Sequence, residues 1–90
     1  MANRKIPRKF AFQWGRGIVK EEASVMTPYH EPTIQLLEYV SGERAIRFCS
    51  YERSRFNRFP LIIGEEHLDE IGRAIRKNKE LRRLMKRLVS

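Results

Sequence analysis

Cysteine is nearly missing from this chain. Cys49 stands alone, which excludes an intramolecular disulfide and any zinc site built on several thiolates, and fits a reducing compartment. Apolar runs are short: Leu61 to Ile63 falls far below the roughly 20 residues a bilayer span needs. No apolar stretch of about 7 to 15 residues follows the positively charged start, Met1 to Lys5, as a secretory signal would require. Histidine is scarce too, and neither His30 nor His67 stands at ligand or nucleophile–base spacing from Cys49. The only glycine pair with phosphate-loop character, Gly15-Arg16-Gly17, lacks both a third glycine and a following helix. The acidic group Glu65, Glu66, Asp69 and Glu70 is explained by the helix dipole without a metal. These gaps lead us to expect a cytosolic protein that acts by binding, with no catalytic site, no metal and no cofactor.

What the chain has in plenty is positive charge. Nineteen Lys and Arg against eleven Asp and Glu give a net charge of +8 over 90 residues. That excess favours polyanionic partners, or serves solubility alone. An apolar content of 41% beside 33% charged residues is enough for one core, provided the apolar positions are gathered on a few faces.

Residues 1–9 carry Arg4, Lys5, Arg8 and Lys9 around Pro7 and read as a flexible basic arm. From Phe10 to Lys20, Phe10, Phe12 and Trp14 alternate with Ala11, Gln13 and Gly15, the period-two pattern of a strand, with a bend or bulge at Gly15-Arg16-Gly17. Trp14 and Phe12 read as core residues first. Thr27-Pro28 and Glu31-Pro32 make residues 21–32 a loop. Thr33 to Val40 and Ala45 to Arg53 read as strands joined by Ser41-Gly42-Glu43-Arg44 in an antiparallel hairpin. If same-parity residues share a face, Ile34, Leu36, Val40, Ile46 and Phe48 turn inward while Gln35, Tyr39, Arg47, Tyr51 and Arg53 turn out. A different loop length exchanges these relations. Phe59, Leu61 and Ile63 form a fourth strand, near an edge because of Pro60.

Gly64-Glu65-Glu66 opens a helix with the apolar stripe Leu68, Ile71, Ala74 and Ile75. Leu81, Leu84, Met85 and Leu88 then lie about 100° around from it on a continuous helix. Either Asn78 ends one helix and opens another, or one long helix runs through with Asn78 at a buried seam of the kind that pairs two subunits; the spacing slightly favours the second. The expectation is therefore an α+β domain over residues 10–77, a four-stranded antiparallel sheet followed by one helix or two, with residues 78–90 as a helical extension and a homodimer formed through it. The helical cations, Arg73 to Arg87, follow the pattern of a solvated face or of phosphate contacts.

The binding signal is interleaving. Arg47, Tyr51, Arg53, Arg55, Phe56, Arg58 and Phe59 fall in one short stretch. Binders of single-stranded nucleic acid need cations to track phosphates and flat side chains on which bases stack, about 1 to 3 kcal/mol per base. Tyr39 and Tyr51 suit stacking because their polar ends tolerate water, whereas Phe56 and Phe59 are also what a core would use. The arm cations Arg4, Lys5, Arg8 and Lys9 would clamp phosphates.

The stretch Phe59-Pro60-Leu61-Ile62-Ile63-Gly64-Glu65-Glu66-His67-Leu68, within the wider span from Thr33 to Ile75, resembles the last strand and helix of the positive cofactor four family of single-stranded DNA-binding transcription coactivators. Arg58-Phe59-Pro60 stands where that family usually has a Lys-Gly-Ile-like sequence, and everything from Lys79 onward is additional. The resemblance implies a curved sheet whose face, carrying Arg47, Tyr51 and Arg53 with Arg55 and Arg58 on its rim, meets an unpaired strand, and helices that help pair two subunits. The expected function is binding of single-stranded DNA or RNA with little sequence preference. The alternatives are a protein-interaction module docking through Leu81, Leu84, Met85 and Leu88, or a ribosome-associated protein.

Overall fold

The computed structural model describes residues 4–13, 15–53, 55–57 and 61–89. It is an α+β fold: an antiparallel sheet in the order β1(Arg8–Phe12), β2(Gly15–Ser24), β3(Glu31–Tyr39), β4(Arg44–Glu52), β5(Arg55–Asn57), then α1(Leu68–Arg76) and α2(Lys79–Val89). Every strand pairs with its sequence neighbour, so each connection is a local turn.

The sheet has five strands where four are expected. The aromatic run forms β1, and the chain doubles back so that Phe12 faces Gly15 and Phe10 faces Gly17. The glycines that look like a bulge in one strand therefore begin a second. The irregularity in β2 lies further on, between Val19 and Glu21. Glu21 to Ser24, expected in a loop, complete β2, and Glu31 and Pro32 open β3. Two successive glutamates look like loop chemistry, yet each has a buried task on its own side of the sheet. Leu61 and Ile63 lie outside any strand; Trp14, Arg58, Phe59 and Pro60 fall outside the described residues.

The central hairpin takes the same-parity register: Ile34 faces Phe48, Gln35 faces Arg47 and Leu36 faces Ile46. The turn is closed by the Tyr39 amide donating to the Glu43 carbonyl at 2.8 Å, with Gly42 at φ +97°, a conformation costly for other residues. Two residues expected inward are not. Val40 lies in this turn, 74% exposed, and Phe48 is half-exposed because the helices cover β2 and β3 and leave the helix side of β4 open.

Both helices lie on one face of the sheet. Ala23, Val25, Ile34 and Leu36 from the strands meet Ile71 of α1 and Leu81 of α2, with Ala74, Ile75, Leu84 and Met85 packed around them. Full burial of each large aliphatic side chain contributes about 1.5 to 3 kcal/mol. Leu81 is 0% exposed. The apolar stripe expected to pair subunits or dock a partner is thus spent inside the protomer, with only Leu88 of the four left exposed. Within residues 78–90, Leu81 joins the core cluster of the sheet and Leu84 and Met85 pack against it.

A continuous helix would carry that stripe around to a different side, and the chain instead breaks at Lys77-Asn78. The Asn78 amide nitrogen donates to the Glu22 carbonyl at 3.1 Å and the Ala74 carbonyl at 3.0 Å, while its own carbonyl accepts from the Arg82 amide at 2.8 Å. The first amides of α2 are met from the sheet, where the Glu21 carboxylate accepts from Leu81 at 2.7 Å and Glu80 at 3.4 Å. Such a cap satisfies donors that every helix start leaves open. Among the described residues no helix is long and apolar enough to cross a membrane.

Candidate nucleic-acid interface

The face opposite the helices is built by alternation. Cross-strand partners share a face, so Phe10 and Phe12 of β1, Gln35 and Tyr39 of β3, Arg47 and Tyr51 of β4 and Phe56 of β5 all project to this side. β2 answers the β1 phenylalanines with glycines, which leaves room for rings to meet over it. Phe10 packs edge-on against Tyr39 with centroids 5.4 Å apart, and Phe12 does so at 6.4 Å. A β-carbon on Gly17 would collide with the Glu38 carbonyl oxygen, and one on Gly15 would come within 3.1 Å of the Tyr39 ring.

Arg47 stands at the middle of this face. Its guanidinium carbon lies 5.6 Å from the Phe10 ring, 5.8 Å from Phe12 and 4.8 Å from Phe56, and its Nε donates to the Gln35 amide oxygen at 2.7 Å. Phe10 and Phe56 sit on the two outermost strands, which in a flat sheet would be about 19 Å apart, four spacings of about 4.8 Å. Sharing one guanidinium puts their rings at most about 10 Å apart. The sheet must curl towards this side. The result is a trough of about 1380 Å³, larger than the roughly 300 to 1,000 Å³ of small-molecule pockets and open along its length.

The other end of the face is closed by an ionic network. The Arg4 guanidinium forks onto both Glu31 oxygens at 3.0 and 3.1 Å and also reaches Glu22. Arg8 forks onto Glu22 at 3.2 and 2.9 Å. The Gln35 amide donates to Glu22 at 2.8 Å and to the Tyr51 hydroxyl at 2.9 Å, which also accepts from Arg8 at 3.1 Å. Burial pushes the Glu22 carboxyl up, but hydrogen bonds from Arg8 and Gln35 and the charges of Arg4 and Arg8 outweigh it and hold Glu22 below the usual carboxylate range. Two cations meet two carboxylates here, so this end is locally neutral.

The structure brings together Tyr39, Arg47 and Tyr51 as the same-parity register expects, but in different surroundings. Tyr51 is buried, with the Arg4 guanidinium 3.7 Å over its ring. Arg4 and Arg8, expected in a flexible arm, are held on the sheet by Glu22 and Glu31; Arg8 and Lys9 belong to β1. Lys5, Lys9, Arg53 and Arg55 are exposed, Arg53 in the turn after β4 at φ 52°. Arg58 lies outside the described residues. The rings left open to the trough are Phe56, 47% exposed and weighed from the sequence as either stacking ring or core, and half-buried Phe10 and Phe12, of which Phe12 reads as core first. The signal that could have found them is Gly15 and Gly17, which leave room over β2 for Phe10 and Phe12 to meet Tyr39. The Cys49 thiol is buried, and burial pushes it up to about 11, so it is held as an unreactive thiol.

A scan against protein-family models and searches of curated proteins and of solved structures each return no match to the chain.

Proposed function

We propose that this is a cytosolic nucleic-acid-binding protein that takes single-stranded DNA or RNA into the sheet trough with little sequence preference, acting by binding and without catalysis. A role as a transcription cofactor follows from the resemblance to the positive cofactor four family, which points at the same sheet face. The observation that carries the reading is Arg47, a guanidinium hydrogen-bonded to a neutral amide and bounded by Phe10, Phe12 and Phe56 in an open trough. Flat rings beside a cation are what an unpaired base and its phosphate require. Such rings stack on the faces of unpaired bases, which a duplex keeps covered by its own stacking, so the arrangement favours a single strand. Arg4, Arg8 and Tyr51 are then structural supports; Lys9 and Arg55 alternate to the helix side of the two edge strands, and with Arg53 they add positive charge around the trough without lining the same face as its rings. A ribosome-associated role would use the same surface on RNA.

The test is a fluorescence titration of a labelled single-stranded 20-mer at two salt concentrations. We expect affinity to fall with salt, and Phe56→Ala to weaken binding about 5- to 150-fold, the 1 to 3 kcal/mol of a stacked base, with an unchanged circular dichroism spectrum. A wild-type protein that does not bind, or a folded Phe56→Ala protein of unchanged affinity, removes the trough from the reading.

A further inference from the structure

A second concentration of positive charge lies away from the rings. Residues 73–87 contain eight Lys and Arg and one Glu, a net +7, after an acidic start to the helical layer at Glu65, Glu66, Asp69 and Glu70. All eight cations are exposed. On α2 the inward positions are Leu81, Leu84 and Met85, which at 100° per residue leaves Lys79, Arg82, Arg83 and Lys86 on the outward half. Arg73 and Arg76 hold the same side of α1, with Asp69 one turn before Arg73. The carboxylate within this segment is turned away: Glu80 pairs with Lys20 at 3.1 Å and Arg44 at 2.6 Å from the sheet. Among the described residues, none of these six cations forms an ion pair.

The helices cover the sheet face opposite the trough, so the stacking surface and the cationic surface are on opposite sides of the body. Even its shortest extent is 22 Å, more than twice the roughly 8 Å screening length at physiological salt. Two polyanions held on the two sides would therefore repel each other little. At about 1.5 Å per residue α2 offers some 16 Å of cationic ridge, long enough to run beside several phosphates of one strand.

We propose that the outer face of α1 and α2 is a second, phosphate-tracking site, and that the protein bridges two nucleic-acid segments: one stacked in the trough, the other held by its backbone along the helices. The occupant is nucleic acid and not an anionic membrane, because the apolar side of α2 that would enter a bilayer is packed on the sheet. This rests on the trough binding the first strand.

The experiment uses the full chain and two non-complementary 12-mers, one biotinylated and immobilised, the other fluorescent and added after the protein. Wild-type protein should capture the fluorescent strand. The triple variant Arg82→Glu, Arg83→Glu, Lys86→Glu should hold the immobilised strand but capture the second at least tenfold less. The neutral triple alanine variant should lower the salt slope of second-strand capture by about 2, from three phosphate contacts at roughly 0.7 each. Circular dichroism confirms that both variants fold. Capture by the glutamate variant equal to wild type overturns the proposal, and would instead indicate two troughs in an oligomer. Wild-type protein that holds one strand and never a second also overturns it, while leaving the trough intact. If neither strand is held, it is the trough reading that has failed, and this inference with it.

Discussion

At Glu22, burial would by itself favour a protonated, neutral carboxyl, and the two arginines and the Gln35 amide reverse that preference. A carboxylate so held resists losing its partners, because removing one side of a buried pair leaves uncompensated charge, typically 3 to 5 kcal/mol. Glu22→Gln should cost about 3 kcal/mol in a urea titration, with Arg8 loosened from the sheet while Glu31 still holds Arg4. The pH dependence follows from the sign of the shift. A carboxyl lowered in the folded state contributes stability fully present above the ordinary glutamate value of about 4.3 and lost as pH falls through the lower folded value. Wild-type stability should therefore drop on acidification below about pH 4, and the Gln variant should show a flatter profile there. This residue also marks where the sequence is hard to read. Parity alone brings Tyr39, Arg47 and Tyr51 to one face, but nothing in the local pattern shows that Arg4 and Arg8 would find carboxylates 14 to 27 residues away and cover Tyr51.

The β1–β2 hairpin shows the same division at the scale of an element. Alternation identifies Phe10 and Phe12 as strand residues, and the structure keeps them so. The reversal before Gly15 is hidden because a glycine pair is equally a bulge signal within one strand. Glu21 and Glu22 conceal the rest of β2, since charged residues in a strand make sense only once a helix N-terminus and an arginine pair are present to receive them. Gly17 is where this element is least tolerant of change, for its missing β-carbon lets the backbone of β3 approach and Phe10 reach Tyr39. Gly17→Ala should cost about 1 to 3 kcal/mol, the usual range for overpacking, read as a lower urea midpoint. It should also weaken strand binding, since the rings at that end of the trough must separate. An unchanged midpoint would mean that the β2–β3 spacing relaxes without strain.

For the whole molecule the question is whether α2 is a cationic appendage or part of what holds the sheet together. Its outward residues invite the first view, and the sequence pattern supports it because the apolar stripe drifts away from that of α1. That drift is real only for a continuous helix; the break at Asn78 cancels it and returns Leu81, Leu84 and Met85 to the core. Three separate ties then fix α2: Leu81 buried at 0% exposure, the Glu21 carboxylate on its first amides, and Asn78 on the Glu22 carbonyl. Glu21 and Glu22 are neighbours on β2, so the helix cap and the trough network hang from adjacent residues on opposite faces. Leu81→Ala should lower stability by about 2 to 5 kcal/mol, out of the roughly 5 to 13 kcal/mol expected for a chain of this size. If the protein is one cooperative unit, the helical circular dichroism signal and the tryptophan fluorescence will shift to the same lower urea midpoint. An α2 that melts early while the sheet midpoint stays fixed would show that the two faces are mechanically independent. Because both ends of the trough depend on strands that α2 buttresses, cooperative unfolding carries a functional corollary: Leu81→Ala should weaken strand binding only as far as it lowers the folded fraction, leaving the affinity of the folded molecules unchanged.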